Sequence, residues 1–327
     1  MGIQKLMKEH ADSQVLTVVV PVYNETEVLE LFHQRLTAVL EQCGLAFEVL
    51  YVDDGSDQGF LNLLHKLREG DPRVALLELS RNFGKEVALS AGLDHARGDA
   101  VIVIDADLQD PPEVIPRFIE QWKQGYDVVY GLRDERHGDS LLKRHTASWF
   151  YRVMSALSDV EIPQDVGDFR LLSRRAVEAL KAQPERHRYM KGLYSWIGFP
   201  QKAVHYDREP RAGGESKWSY LRLWNFALEG ITSFSAAPLK IATYLGLATS
   251  SVSFLYGLFL LVRTMLFGNP VPGYPSLIII VLFLGGVQLI CLGIIGEYLA
   301  RTYQESKGRS LYVLKGYHPV IDSPIDE

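Results

Sequence analysis

Two uninterrupted apolar stretches in the last third of the chain decide what it can become. Ile241 to Val262 and Pro275 to Gly296 are each 22 residues long and carry no charged side chain. At 1.5 Å rise per residue such a stretch makes a helix of ~33 Å, enough for a hydrocarbon core of about 30 Å. Helices of this length in water-soluble proteins ordinarily keep a polar face, and neither stretch has one. Between them, Arg263 to Tyr274 holds Gly268, Asn269, Pro270, Pro272 and Gly273, a turn-rich loop. The pair therefore reads as a transmembrane hairpin.

Flanking cations orient the hairpin. Arg222 and Lys240 precede it, Arg301, Lys307, Arg309 and Lys315 follow it, and the loop has only Arg263. The positive-inside rule then places both termini in the cytoplasm of a multi-pass protein of the cell (inner) membrane. Met1 to Gln14 is polar and Val15 to Val22 is too short an apolar run for a cleavable signal. The expected organisation is a cytosolic domain over 1–215, an amphipathic interfacial helix over 216–236, a hairpin over 237–300 and a cytosolic tail over 301–327. In the interfacial segment Trp218, Leu221, Trp224, Leu228 and Ile231 recur at spacings of three and four. A second basic and aromatic segment, 141–157, carries Lys143, Arg144 and Arg152 beside Trp149, Phe150, Val153 and Met154. It suits either the headgroup layer or packing against the cytosolic domain.

Composition excludes several classes. With 34 Lys+Arg against 40 Asp+Glu the chain has a net charge of −6, without the basic footprint of nucleic-acid binding. Cys43 and Cys291 are too few and too far apart for a disulfide framework or a thiolate metal site. There is no G-x-x-x-x-G-K-[ST], no G-x-G-x-x-G after the first strand and no His-Glu-x-x-His.

The cytosolic part alternates strand and helix. Strands are expected at Val15–Val22, Phe47–Val52, Arg73–Leu79, Ala100–Ile104 and Asp127–Gly131. Helices are expected from Asn24 to Gln42, with Asn24 and Glu27 as a capping box, and at Phe60–Arg68, Lys85–Ala96 and Pro112–Lys123. This order predicts an α/β fold, a mostly parallel sheet with helices on both faces, whose ligands gather at the carboxyl ends of strands. Polar motifs stand at three such ends: Pro21 to Glu25, Asp53 to Ser56, and Asp105 to Gln109. Asp57 reads as a helix cap. Asp105 and Asp107 emerge together after a hydrophobic strand, and paired hard oxygen donors suit Mg2+ or Mn2+ shared with a diphosphate.

Val-Pro-Val-Tyr-Asn-Glu, Asp-Asp-Gly-Ser, Ser-Arg-Asn-Phe-Gly-Lys (Ser80 to Lys85) and Asp-Ala-Asp-Leu-Gln resemble glycosyltransferase family 2, with its GT-A fold. The likeness continues through Gly167-Asp168-Phe169-Arg170 and Gly214-Glu215-Ser216-Lys217 to the hairpin. It is similar to the polyprenyl-phosphate glycosyltransferases, most of all the bactoprenol glucosyltransferases, with aminoarabinose transferases and dolichol-phosphate mannose synthases as cousins. That resemblance implies an inverting, homo-oligomeric enzyme that moves a sugar from a UDP-sugar donor to polyprenyl phosphate at the lipid bilayer. Glucose from UDP-glucose is the first choice; formylated aminoarabinose, N-acetylated amino sugars and mannose from GDP-mannose are the alternatives.

The resemblance also implies residue roles. Pro21, Tyr23, Glu25 and Asp54 line the uridine pocket with Asp53 nearby, and Lys85 joins the nucleotide set. Asp105 faces the ribose and metal, and Asp107 with Gln109 faces the metal and diphosphate. Lys217, Arg133 and Arg144 hold the acceptor phosphate. Asp168 is either a base or sugar-orienting group, or a buried partner of Arg170. Two other classes stand against this reading. A processive polysaccharide synthase typically carries an Arg-Trp pair, absent from this chain. A non-catalytic membrane scaffold leaves the metal-type carboxylates and phosphate-type cations unexplained.

Overall fold

The computed structural model describes residues 14–133, 166–183, 185–186, 188–207, 237–268 and 273–321. These fall into two compact units, one built from residues 14–207 and 310–321, the other from 237–309.

The first unit is an eight-stranded sheet. In chain order its elements are β1 (Val15–Val22), α1 (Leu29–Gln42), β2 (Ala46–Asp53), α2 (Gln58–Gly70), β3 (Val74–Leu79) and α3 (Lys85–His95). Then follow β4 (Ala100–Val103), a 3-10 turn at Pro112–Val114, α4 (Ile115–Lys123), β5 (Val128–Arg133) and β6 (Val166–Ser173). The set closes with α5 (Arg174–Lys181), α6 (Met190–Trp196), β7 (Gln201–Tyr206) and, after the second unit, β8 (Leu314–His318). The strand order is β7-β5-β6-β4-β1-β2-β3-β8. β4, β1, β2 and β3 run parallel and so do β5 and β7, while β6 and β8 pair antiparallel to their neighbours.

Burial on both faces explains the unbroken apolar reading of β1. Leu16, Val18, Val20 and Val22 join a core that includes residues of α1, α2 and α4. Val19 faces the other way, where Gly92 of α3 comes so close that a Cβ there would stand 2.3 Å from Val19 Cγ1. Helices thus cover both faces, as a central parallel strand requires.

Local chemistry corrects the expected element ends. Asn24 does not cap α1, whose N-cap is Val28 without a side-chain bond. Asn24 instead takes a left-handed conformation (φ 54°), accepts from the Asp57 N–H at 3.0 Å and donates its own N–H to Ser56 Oγ. Asp57 does cap α2, accepting from the Phe60 N–H at 3.0 Å. β8 lies within the segment expected to be a plain tail.

The second unit is the expected pair of apolar helices, α7 (Ala237–Phe267) and α8 (Tyr274–Ser306), of 31 and 33 residues. Each is long and apolar enough to cross a membrane, and the most apolar window of neither is buried by protein. Phe254 and Leu282, for example, are each 70% exposed. Side chains of that kind left bare need a non-aqueous surrounding. α8 runs ten residues past Gly296, where the apolar run ends, and there Glu297 and Arg301 pair at helical spacing (3.3 Å). The two segments expected to be interfacial, 141–157 and 216–236, lie outside the described residues.

Candidate active site at the strand ends

The first two polar motifs brace each other. Asp53 ends β2, Asp54 follows it, and both are buried. The Asp53 carboxylate accepts from the Ser56 N–H at 3.1 Å. Asp54 accepts from the N–H groups of Phe83 (2.7 Å) and Gly84 (2.9 Å), which pins the segment leading into α3. Burial raises both carboxyl pKa values, and these backbone bonds offset part of that rise. Pro21 lies past Val19, the last β1 residue paired with β4, and Tyr23 beyond it is exposed. Glu25 is half-buried in the same loop.

Gly55 makes the bracing possible. Its φ is +74°, and a Cβ there would stand 2.3 Å from the Arg81 carbonyl carbon, a backbone atom with little room to yield. Gly55→Ala is expected to cost at least about 1–3 kcal/mol, from the left-handed backbone together with the clash. A thermal midpoint equal to wild type would contradict this account of the loop.

The cluster with chemical capacity forms one strand further along. β4 and β6 are antiparallel with Val103 opposite Arg170. Continuing that register by two residues brings Asp105 opposite Asp168. Lys85, the first residue of α3, reaches between them: its Nζ lies 2.7 Å from Asp105 Oδ2 and 2.6 Å from Asp168 Oδ2. Its side chain is 42% exposed, so the trio borders solvent.

Charge sorts the two acids. Burial pushes both carboxyls up. For Asp168, Lys85, Lys191 and Arg170 more than reverse the effect and hold it well below the usual carboxylate range. Asp105 stays raised, because burial and its acidic neighbours Asp168 and Asp110 outweigh Lys85. The lysine is itself held well above its ordinary value, the two acids overcoming its desolvation. Two carboxylates driven apart around one cation are a common mark of a functional site. Asp168 Oδ1 is buried and, among the described residues, has no hydrogen-bond partner.

Asp107 follows in a strained turn. The Gln109 N–H donates to Asp107 Oδ1 at 3.1 Å, Gln109 itself is buried, and Leu108 between them has φ +58°, rare for a branched side chain. Asp110, which the sequence reading passed over although it extends the same motif, is buried. It accepts from Tyr206 OH (2.5 Å) and from Arg133 (3.4 Å). Arg133 also donates to Tyr206 OH at 3.2 Å, so its guanidinium is held beside Gly167.

Arg170 is not the partner that the second reading of Asp168 required. Its guanidinium stacks 3.6 Å from the Tyr194 ring centroid and donates to Gly167 O at 2.8 Å, acting on Asp168 only as a nearby charge. Arg144 and Lys217 lie outside the described residues.

Glu86 was not singled out in the sequence, although it adjoins Lys85. Burial, then the Asp168 charge, pushes its carboxyl up to about 8, and its Oε2 accepts from the Met190 N–H at 3.2 Å. Between an unfolded pKa of about 4.5 and the folded value, the folded protein keeps a proton that the unfolded chain has lost. Stability from this group is therefore full below about pH 4.5 and declines as pH rises through 8. Glu86→Gln keeps an acceptor without the titration. Its thermal midpoint is expected to match wild type near pH 5 and exceed it above pH ~8; parallel pH profiles would refute the assignment.

Residues 17–181 match Glycosyl transferase family 2, and residues 237–302 match the GtrB C-terminal hairpin. An uncharacterized glycosyltransferase of Synechocystis sp. is 50% identical over 299 residues, covering 91% of this chain and 94% of that protein. The bactoprenol glucosyl transferase of Shigella phage SfV is 50% identical over 300 residues (92% and 98%). A prophage bactoprenol glucosyl transferase homolog of Escherichia coli K12 is 48% identical over 300 residues (92% and 98%).

Proposed function

We propose, from the premise that this chain belongs to glycosyl transferase family 2, that it moves glucose from UDP-glucose onto polyprenyl phosphate at the cytosolic face of a cell membrane. That it is a glycosyltransferase follows from its family; the acceptor and the donor are our reading. One observation carries it: a single chain joins the Lys85–Asp105–Asp168 cluster to an apolar hairpin, at about half identity to proteins named for transfer to bactoprenol. A soluble acceptor gives no reason for the hairpin, whereas a lipid that cannot leave the bilayer does.

The chemistry follows from the acceptor. A lipid phosphate has a second pKa near ~6 and is already anionic at neutral pH. The chain then has no need to remove a proton from the nucleophile, and its work is positioning and charge control. Asp168, kept ionised by Lys85, uses its unpartnered Oδ1 to accept a hydroxyl of the sugar and set the anomeric carbon in line. Arg133, held by Asp110 and Tyr206, is preset for an anion, with Lys217 and Arg144 as further acceptor cations. Tyr23, Glu25 and the loop braced by Asp53 and Asp54 receive the nucleoside.

Asp105 and Asp107 offer hard oxygens at one strand end, a donor set that fits Mg2+ or Mn2+, with Gln109 shaping the turn. Bound there, such an ion supplies Lewis-acid stabilisation of the departing diphosphate. The sheet supports the membrane orientation. β8 follows the hairpin and yet pairs with β3, which favours a chain that re-emerges on the side from which it entered.

A donor panel tests the reading: purified full chain, undecaprenyl phosphate and Mn2+ or Mg2+, with UDP-glucose, UDP-N-acetyl sugars, UDP-formamidoarabinose and GDP-mannose in parallel. Lipid-linked glucose with stoichiometric UDP is the expected product. Preference for another donor would overturn the sugar assignment, and donor turnover indifferent to the lipid would overturn the acceptor.

A further inference from the structure

The far edge of the sheet holds a cluster that the transfer reaction does not use. Glu78 on β3 is buried, and its Oε1 lies 3.0 Å from His65 Nε2 on α2 and 3.1 Å from His318 Nε2 on β8. One ligand atom from each of the three residues falls within 4.8 Å of the others. We propose that His65, Glu78 and His318 bind a divalent transition-metal ion of the zinc type, which fastens β8 to the sheet.

The donor set decides the class of ion. Two imidazole nitrogens and one carboxylate oxygen suit zinc and its neighbours, unlike the all-oxygen set at Asp105 and Asp107. In a tetrahedral zinc site with bonds of about 2.0–2.1 Å, ligand atoms stand about 3.3 Å apart. The two nitrogen–oxygen separations are already near that value, so small outward shifts admit the ion. Both histidines are about one-third exposed, which leaves an entry path and a position for water.

Two further features favour a built site. The β8 residue opposite Glu78 is Gly316, where a Cβ would stand 3.2 Å from His318 Nε2 and 3.6 Å from Glu78 Cδ. A side chain there would crowd the space the ion needs. Lys315 Nζ lies 3.4 Å from Glu78 Oε2, the oxygen that faces neither imidazole. That ion pair draws on Oε2 and leaves Oε1, the oxygen shared by the two imidazoles, to the ion. The three ligands come from a helix, an interior strand and an edge strand, so the ion would join segments distant in sequence.

The test uses the full chain in detergent, stripped with a chelator and titrated with Co2+ as a visible probe, then with Zn2+. Wild type is expected to show the ligand-field absorption of a low-symmetry cobalt site at one equivalent per chain, displaced by Zn2+. His65→Ala and His318→Ala should abolish it, whereas Asp107→Asn should retain it. Zn2+ should also raise the thermal midpoint of wild type and not of His65→Ala, whose own midpoint without metal shows how much of β8 packing rests on the imidazole contact with His318. An unchanged cobalt spectrum in folded His65→Ala, or no displaceable cobalt in wild type, would overturn the proposal.

Discussion

Lys85→Met is expected to lower turnover by about 10²–10³-fold, the scale seen when one preorganised charge-stabilising donor is removed from an active site. Methionine keeps most of the stem but removes the ammonium that lies 2.7 and 2.6 Å from Asp105 and Asp168. Two acids then face each other with no cation between them, and like charges drive one to take up a proton. Lys85→Arg should recover only part of the rate, because a planar fork does not replace a point charge shared by two oxygens. Release of UDP in the presence of polyprenyl phosphate measures both variants. Near-wild-type turnover of Lys85→Met would remove the trio from the reaction.

Asp168→Asn should lower kcat by about 10²-fold, the penalty of a misplaced reacting group, with little change in KM for the donor. Its pH profile separates the two active roles. A general base puts its own pKa into the acidic limb of kcat/KM. An orienting carboxylate held well below the usual range adds no limb at ordinary assay pH, so any acidic limb, such as that of the acceptor phosphate, is expected to be the same in wild type and Asp168→Asn. An acidic limb lost in Asp168→Asn would make Asp168 the base instead.

The elements legible in the sequence are those whose signal is local. β1 to β4 are short, mainly apolar runs buried on both faces, and the apolar helices announce themselves by length. β8 has no such signal: Leu-Lys-Gly-Tyr-His is at most half-buried, and its pairing with β3 comes from chain more than two hundred residues away. β6 escaped for a related reason, since Gly167, Asp168 and Arg170 interrupt its apolar pattern and their placement depends on β4.

The site follows the same division. Asp105 and Asp107 were visible as a motif, whereas the meeting of Lys85 with Asp105 and Asp168 depends on three separate elements converging. Asn24 shows the opposite failure. Its local pattern favoured a helix cap, but the neighbouring Ser56–Asp57 turn offered both a donor and an acceptor and took it instead.

The late position of β8 bears on how the protein is made. β3 leaves the ribosome with one edge unpaired, and the strand that covers it is about 235 residues further on, beyond both apolar helices. At a synthesis rate of roughly 5–20 residues per second, that edge stays open for about 10–50 s. Open strand edges invite pairing with other chains. Only a chain whose synthesis has already passed both apolar helices can seal the sheet, so completion of the first unit waits on synthesis of the second.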